Sequence, residues 1–529
     1  MTDKKFNLLR EPWIKVIRHD GETAEVSLLD IFDQAPGILR LANELPTLDF
    51  AILRLMLAIL HATFGKRKGG YVELPQAPGQ PKDARALLQR WQILWDKKAF
   101  PMEILESYLL EYEDRFWLFH PDRPFFQDPT LDDATQYDAA KLNAMISESA
   151  NKTRLFALRS GEAKKTLSFA EAARWLLHLH GYDDKSSKKK PKGAPPISFG
   201  WLAELGLVAP IGNNLFETMM LNFALFQGEG DVLWGIEKPT WESDRPEAKE
   251  RQPLPAPSNQ SELLTLQSRL VLLIRSQDNV TDYLLRGGEF YPSPAEIWAE
   301  QMTTRSTNKK GEIYVKKHRR ERLLWRDLSA LLAAADGQNL RPGIVNWLAR
   351  LTAYHLLDDR VLTFSVASID FDNKGNSTTE IFGDQISFSS RLLETRKQDW
   401  LPSILEQVSW TDRLVELLGE LVRKIVTAAG ASKSEASDRK KSAKEQGYFQ
   451  LDIPFREWLL SVDPDGDEEI EAALLRWQEE AKRIIFNLGE EVFEQAGQQA
   501  FVGRTVDKKI FSSPRAFNIF AASIASNKF

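Results

Sequence analysis

Apolar residues follow two rhythms along this chain, and the change between them comes near residue 380. In the last third the spacing is helical. Ile404, Val408, Thr411, Val415, Leu418, Val422 and Ile425 recur at alternating intervals of four and three, and Thr411 is the one polar member. That spacing puts them on one helix face. Ile470, Leu474, Trp477, Ala481, Ile484 and Leu488 repeat the pattern. Two more helices, near 452–462 and 513–527, complete a predicted four-helix bundle, the last opened by Ser513-Pro514. The polar stretch 431–446 is expected to be an exposed, mobile loop.

Before residue 380 the pattern is mixed. Period-2 alternation from Trp13 to Ile17 and the Asp20-Gly21 pair predict a small β-meander. Residues 48–65 are apolar nearly all round, as a buried core helix would be. Amphipathic helices are expected over 83–98 and 102–114, then a loop rich in Pro and aromatics over 116–128. A helix over 168–182 starts with Ser168 and Glu171 spaced as a capping box. Residues 214–226 return to helix, and 361–371 read as a strand. The fold class is therefore α+β: a large mixed N-terminal domain, 1–380, followed by a C-terminal four-helix bundle, 381–529.

Composition removes whole classes of chemistry. The 529 residues include no cysteine, which excludes disulfides, thiolate metal sites and cysteine nucleophiles. No run of eighteen apolar residues and no secretory leader is present, so a cytoplasmic protein with no membrane partner is expected. His178 and His180, two apart on a helix, point away from each other rather than to one metal. The acidic run 463–469 has its glycine, Gly466, in the wrong place for a calcium loop and Leu474 where the final carboxylate belongs, and reads as the acidic start of a helix. Phosphate-binding, esterase and zinc-protease motifs are absent. Asp358-Asp359 leaves a hydrolase as the weakest reading. Neither a metal, a cofactor nor a catalytic role is expected.

The net charge of −6 conceals its distribution. Residues 152–165, 183–192 and 305–322 carry net charges of +4, +3 and +6, so the remainder is strongly acidic. Basic runs concentrated in this way point to nucleic acid. Lys188, Lys189, Lys190 and Lys192 in the second run, and Lys309, Lys310, Lys316 and Lys317 in the third, are the candidate phosphate contacts. Directly behind the second run comes SFGW, Ser198, Phe199, Gly200 and Trp201. A glycine-containing loop can bring backbone groups close to a narrow minor groove, where side chains seldom fit.

Several stretches resemble one family, the CasA large subunit of the type I-E Cascade, a CRISPR surveillance complex. NLLREPWIKV at the start is similar to its NLL-x-x-x-WIPV form, with Lys15 in place of Pro. RFWLFHPDRPFFQ, SFGWLAELG and LFETMMLN resemble further segments in the same order. The resemblance implies a non-enzymatic subunit that reads a short PAM in double-stranded DNA from the minor groove, starts strand separation and R-loop formation, and recruits a helicase-nuclease. It implies as partners a guide RNA and the backbone, guide 5′-end-binding and small subunits. Carried onto this chain, the PAM-reading glycine loop falls on Ser198, Phe199, Gly200 and Trp201, with Arg286 where the family has a PAM-reading lysine. The strand-separating wedge falls on Asn373, Lys374 and Asn376, without the Gln found in other members. The guide-RNA and subunit docking loop falls on Arg154, Phe156 and Arg159. The zinc-binding cysteines of some members are missing here. The residues by themselves also suit a free-standing nucleic-acid-binding scaffold.

Overall fold

A computed structural model describes residues 3–77, 79–148, 159–186, 188–190, 193, 195–227, 232–243, 253–332, 339–357, 359–393 and 400–526. The chain divides into two compact units. One comprises 1–318, 337–351 and 363–385, the other 319–336, 352–362 and 386–529. The second unit thus gathers two segments that precede residue 380 in the sequence.

Near its start the first unit has a three-stranded sheet of β1 (Ile14–Arg18), β2 (Thr23–Val26) and β3 (Ile38–Leu41), antiparallel in the order β2-β1-β3. Gly21 turns the predicted hairpin at φ +86°, a left-handed value that suits glycine. Helix α1 (Pro46–Phe64) is buried along nearly its whole length. By length and hydropathy it could cross a membrane, but its apolar surface is spent inside this protein's own core. Two of its buried polar side chains face carboxylates: Arg54 pairs with Glu300 at 2.9 Å and His61 lies 3.6 Å from Glu237. Helices α2 (Ala84–Asp96) and α3 (Met102–Glu111) lie where amphipathic spacing places them.

Next come β4 (Thr135–Asp138), β5 (Leu167–Ser168) and α4 (Phe169–Tyr182). The α4 capping box is present: Ser168 accepts from the Glu171 amide, and Glu171 accepts from the Ser168 amide. His178 and His180 are buried and hydrogen-bond to different elements, His178 to the Thr47 hydroxyl and His180 to the Phe126 carbonyl. After β6 (Leu207–Ile211) and α5 (Leu215–Asn222) the chain forms β7 (Arg269–Ser276), β8 (Asn279–Gly287), β9 (Arg305–Thr307), β10 (Ile313–Val315), β11 (Val361–Phe371) and β12 (Thr378–Ser389). One sheet runs β7-β8-β4, with β5 also on β8, and another runs β12-β11-β6. These two sheets and α4 carry the candidate site.

The second unit is dominated by α6 (Trp400–Ala429), α7 (Lys433–Ser461), α8 (Ile470–Glu494) and α9 (Ser513–Ser526), with a short hairpin, β13 (Arg504–Val506) and β14 (Lys509–Phe511), ahead of α9. All seven seam residues of α6 are buried. In α8 the seam drifts by one position: Ile485 is buried where Ile484 was expected, and Ala473, Trp477, Ala481 and Leu488 complete it. Trp325, from the 319–336 segment, stacks on Phe455 at 4.6 Å, which explains why that segment belongs here.

The expected loop at 431–446 is instead the first half of α7. Ser432 caps it by accepting from the Glu435 amide. Lys440 and Lys444, one turn apart, reach across to Glu416 and Glu420 of α6. Ala436, Ala443 and Gly447 are buried beneath them. The charges that give the stretch the look of a solvated loop are half of an interhelical ladder.

Candidate nucleic-acid interface

The glycine loop is held from beneath by one guanidinium. Arg269, at the start of β7, is fully buried. It donates to the Asp183 carboxylate at 2.5 Å, to the Asp184 carbonyl at 3.2 Å and to the Ser198 carbonyl at 2.9 Å. Asp183 and Asp184 follow α4, so a single side chain ties the end of that helix to both the lysine run and SFGW. Lys188 closes the cluster with its ammonium 3.0 Å from each of the two carboxylates, and Lys141 pairs with Asp184 as well. Burial alone would raise the Asp184 pKa, but Lys188 and Lys141 beside it hold it well below the usual carboxylate range.

Three sequence-distant segments meet around Phe199. Its ring stacks on Phe371 at the end of β11, centroids 4.5 Å apart. The Lys185 ammonium lies 4.2 Å from the ring centroid and that of Lys317 lies 5.8 Å away. The Lys185 amide donates to the Gly375 carbonyl at 2.7 Å, within the turn between β11 and β12. Gly375 has φ +69°, and a Cβ there would stand 3.0 Å from the Phe199 ring. The hairpin tip therefore rests on the glycine loop, with lysines from the second and third basic runs beside it. Asn373 and Lys374 project from the tip, exposed, while the Asn376 amide turns back to the Asp372 carboxylate at 2.8 Å.

Not every expected contact is available. Lys188, expected on phosphate, has a fully buried side chain and is an internal counter-ion. Trp201 is buried, its indole N–H donating to Glu300 at 3.1 Å and its amide to Ser268 at 3.2 Å. Gly200 is also inside: its amide donates to the Asp183 carbonyl, and a Cβ would meet the Gly181 carbonyl oxygen at 2.5 Å. The close approach that requires glycine here is to the end of α4. Ser198 and Phe199 remain as partly exposed members of the loop.

Lys189 is exposed, paired with Asp133 at 2.7 Å, and its backbone forms a bridge with half-buried Arg286 on β8, which joins the second basic run to that candidate. Lys190 is exposed. Lys309 and Lys310 occupy the exposed turn between β9 and β10. Lys316 is partly buried, and the Lys317 ammonium donates to the Ile369 carbonyl at 3.0 Å. Arg159 pairs with Glu171 of the α4 cap. Arg154, Phe156, Lys192 and Asp358 lie outside the described residues. Asp359 pairs with Arg391. Among the described residues no group of three or more His, Asp or Glu side chains is placed to hold a metal.

Sequence reasoning missed Arg269, Lys185 and Phe371. Arg269 left a signal, a cation heading a run of five apolar strand residues; the other two became visible only through the contacts of Phe199.

Over residues 7–488 the sequence matches the family described as CRISPR-associated protein Cse1. A CRISPR-associated protein CasA/Cse1 from Thermus thermophilus is 29% identical over 336 residues; the match takes in 63% of this chain and 62% of the relative's length. The crystal structure of Thermobifida fusca Cse1 has a TM-score of 0.82 at 30% identity, covering 98% of both chains. A chain of a CRISPR RNA-guided surveillance complex shares the fold at a TM-score of 0.58 and 18% identity, over 99% of this chain and 95% of that one.

Proposed function

Since this chain belongs to the CRISPR-associated Cse1 family, we propose that it is the large, non-catalytic subunit of a type I-E CRISPR RNA-guided surveillance complex. In this reading it works in the cytoplasm with a guide RNA, double-stranded target DNA and the neighbouring subunits. Ser198, Phe199 and Arg286 meet the PAM from the minor groove. Lys185, Lys189, Lys190, Lys309 and Lys310 hold phosphates. The hairpin tip, through Asn373 and Lys374, enters the duplex as its strands part, and the open R-loop is then handed to a helicase-nuclease. Arg154, Phe156 and Arg159 face the guide RNA and adjoining subunits.

One observation carries the reading: the Phe199 contact joins the loop proposed to read DNA with the hairpin proposed to open it. Phosphate contacts fix register, whereas groove contacts carry sequence, so reading and opening at one place let recognition precede strand separation. The test is to assemble the particle from guide RNA and neighbouring subunits with and without this chain, then compete PAM-bearing against PAM-scrambled duplex. Preference for the PAM is expected only when the chain is present. A particle that excludes it, or discriminates without it, overturns the proposal and favours a free-standing scaffold. Neutralising Lys189, Lys309 and Lys310 should weaken all duplexes alike and flatten the salt slope by up to about 0.9 for each phosphate that is no longer neutralised.

A further inference from the structure

A second basic site lies in the helical unit, independent of the interface above. A cleft of about 780 Å³ opens among α6, the start of α7, the β13–β14 hairpin and the start of α9. Six cations line it, Arg423, Lys424, Lys433, Lys508, Lys509 and Arg515, against one carboxylate, Asp507. Arg423 is neutralised by Glu420 at 2.7 Å, and Lys433 faces Asp507 at 3.4 Å. Lys424, Lys508, Lys509 and Arg515 have no ion-pair or side-chain hydrogen-bond partner among the described residues. Four unneutralised cations around one concavity repel each other, and an anion entering it relieves that repulsion.

The lining also selects the kind of anion. Ile510 and Ile519, 61% and 45% exposed, lie among the cations, and Phe511 lies beside them. A simple phosphate site has no use for exposed apolar surface, whereas nucleobases turned out of a strand can pack against the isoleucines and stack on the Phe511 ring while the backbone follows the charges. The volume suits a ligand the size of a few nucleotide units and is too confined for a duplex. The N-terminal turn of α9, which brings Ser512 and Arg515 to the cleft, adds the positive end of a helix dipole. Most of the lining lies beyond residue 488, where the family match ends. We infer that this cleft binds single-stranded nucleic acid, gripping phosphates with Lys424, Lys508, Lys509 and Arg515 and seating bases against Ile510 and Phe511.

The test uses the full chain and a labelled single strand of about 20 nucleotides carrying 5-iodouracil, long enough to span a site of this type. Crosslinks mapped by mass spectrometry are expected within 504–519. Replacing Lys508, Lys509 and Arg515 together by Gln should weaken binding at least about tenfold and flatten the salt slope by about 2, at roughly 0.7 per phosphate on single strands. Lys508→Gln with Lys509→Gln alone, at the exposed hairpin, should give about two-thirds of that slope change with an unchanged helical circular-dichroism spectrum. Crosslinks confined to 185–317, with affinity unaltered in both variants, overturn the inference. So does displacement by polyglutamate as effective as by the oligonucleotide at equal charge, which would assign the cleft to an acidic protein segment.

Discussion

The Phe199 ring lies against Phe371 with the two planes 23° apart, and it touches the underside of Gly375 as well. One side chain thus spans the joint between the glycine loop and the β11–β12 hairpin. Phe199→Leu keeps apolar bulk but removes the stack and both cation–π contacts, which are worth about 0.5–1.5 kcal/mol for an aromatic pair. The expected result is slower R-loop opening on duplex already bound at saturating concentration, beyond any loss in initial PAM-duplex affinity, read from permanganate reactivity of the unpaired strand. Wild-type opening rates would mean that the hairpin and the loop act separately.

Asn373 and Lys374 are exposed, so replacing both with alanine should leave the melting temperature within about one degree, as surface changes away from special features do. R-loop opening should slow, because each base-pair step resists separation by about 1.4 kcal/mol before guide pairing repays it. Equal opening rates would reduce the tip to an ordinary turn. Asn376 is a poorer choice for this test, because its backbone helps to form that turn.

Gly200→Ala should destabilise the first unit, since the added methyl would sit 2.5 Å from the Gly181 carbonyl oxygen. Overpacking of this kind costs about 1–3 kcal/mol. The measurement is a urea midpoint on the isolated chain, without DNA. An unchanged midpoint would show that the loop can lift away from α4, and would restore Gly200 as a groove contact.

His178 predicts an acid-sensitive step. Burial pushes its pKa down to about 3, against a smaller upward pull from Asp183. The unfolded chain takes up this proton near pH 6.5, while the folded chain does so only near 3. The stabilisation is therefore complete above pH 6.5 and is lost as the pH falls toward 3, by up to about 1.4 kcal/mol per unit. His178→Gln, which keeps a hydrogen-bonding group for Thr47, should lose roughly 2 kcal/mol less than wild type between pH 7 and pH 5. Identical losses in the two proteins would assign the acid response to other groups.

Much of the fold could be read in the sequence because periodicity and capping are local. The Ser168–Glu171 box, the Asp20-Gly21 turn and the α6 seam each follow from residues within a turn or two of one another. The segment 431–446 could not be read so, because its helix rests on Glu416 and Glu420, which local spacing does not reveal. The candidate site shows the same divide. Its basic character is evident in the sequence, but neighbouring Lys188 and Lys189 meet opposite fates, one a buried counter-ion and the other solvent-facing. An extended backbone turns successive side chains to opposite sides, and a run of identical residues hides which side faces inward. Gly200 is a place of close approach, as its setting in the loop suggests, but the surface it approaches is α4.

Thr411 interrupts an otherwise apolar seam, and its hydroxyl accepts from the Trp477 indole N–H at 3.0 Å while donating to the Gln407 carbonyl at 2.7 Å. Apolar seams slide easily, because one leucine-sized knob fits much the same hole a turn further along. A buried indole N–H resists such a shift, since a turn one way along α6 puts Val415, which has no acceptor, opposite it, and a turn the other way breaks the 2.9 Å hydrogen bond from the Gln478 amide to Gln407. The pair acts as a detent, marking the position along each other's length at which α6 and α8 come to rest.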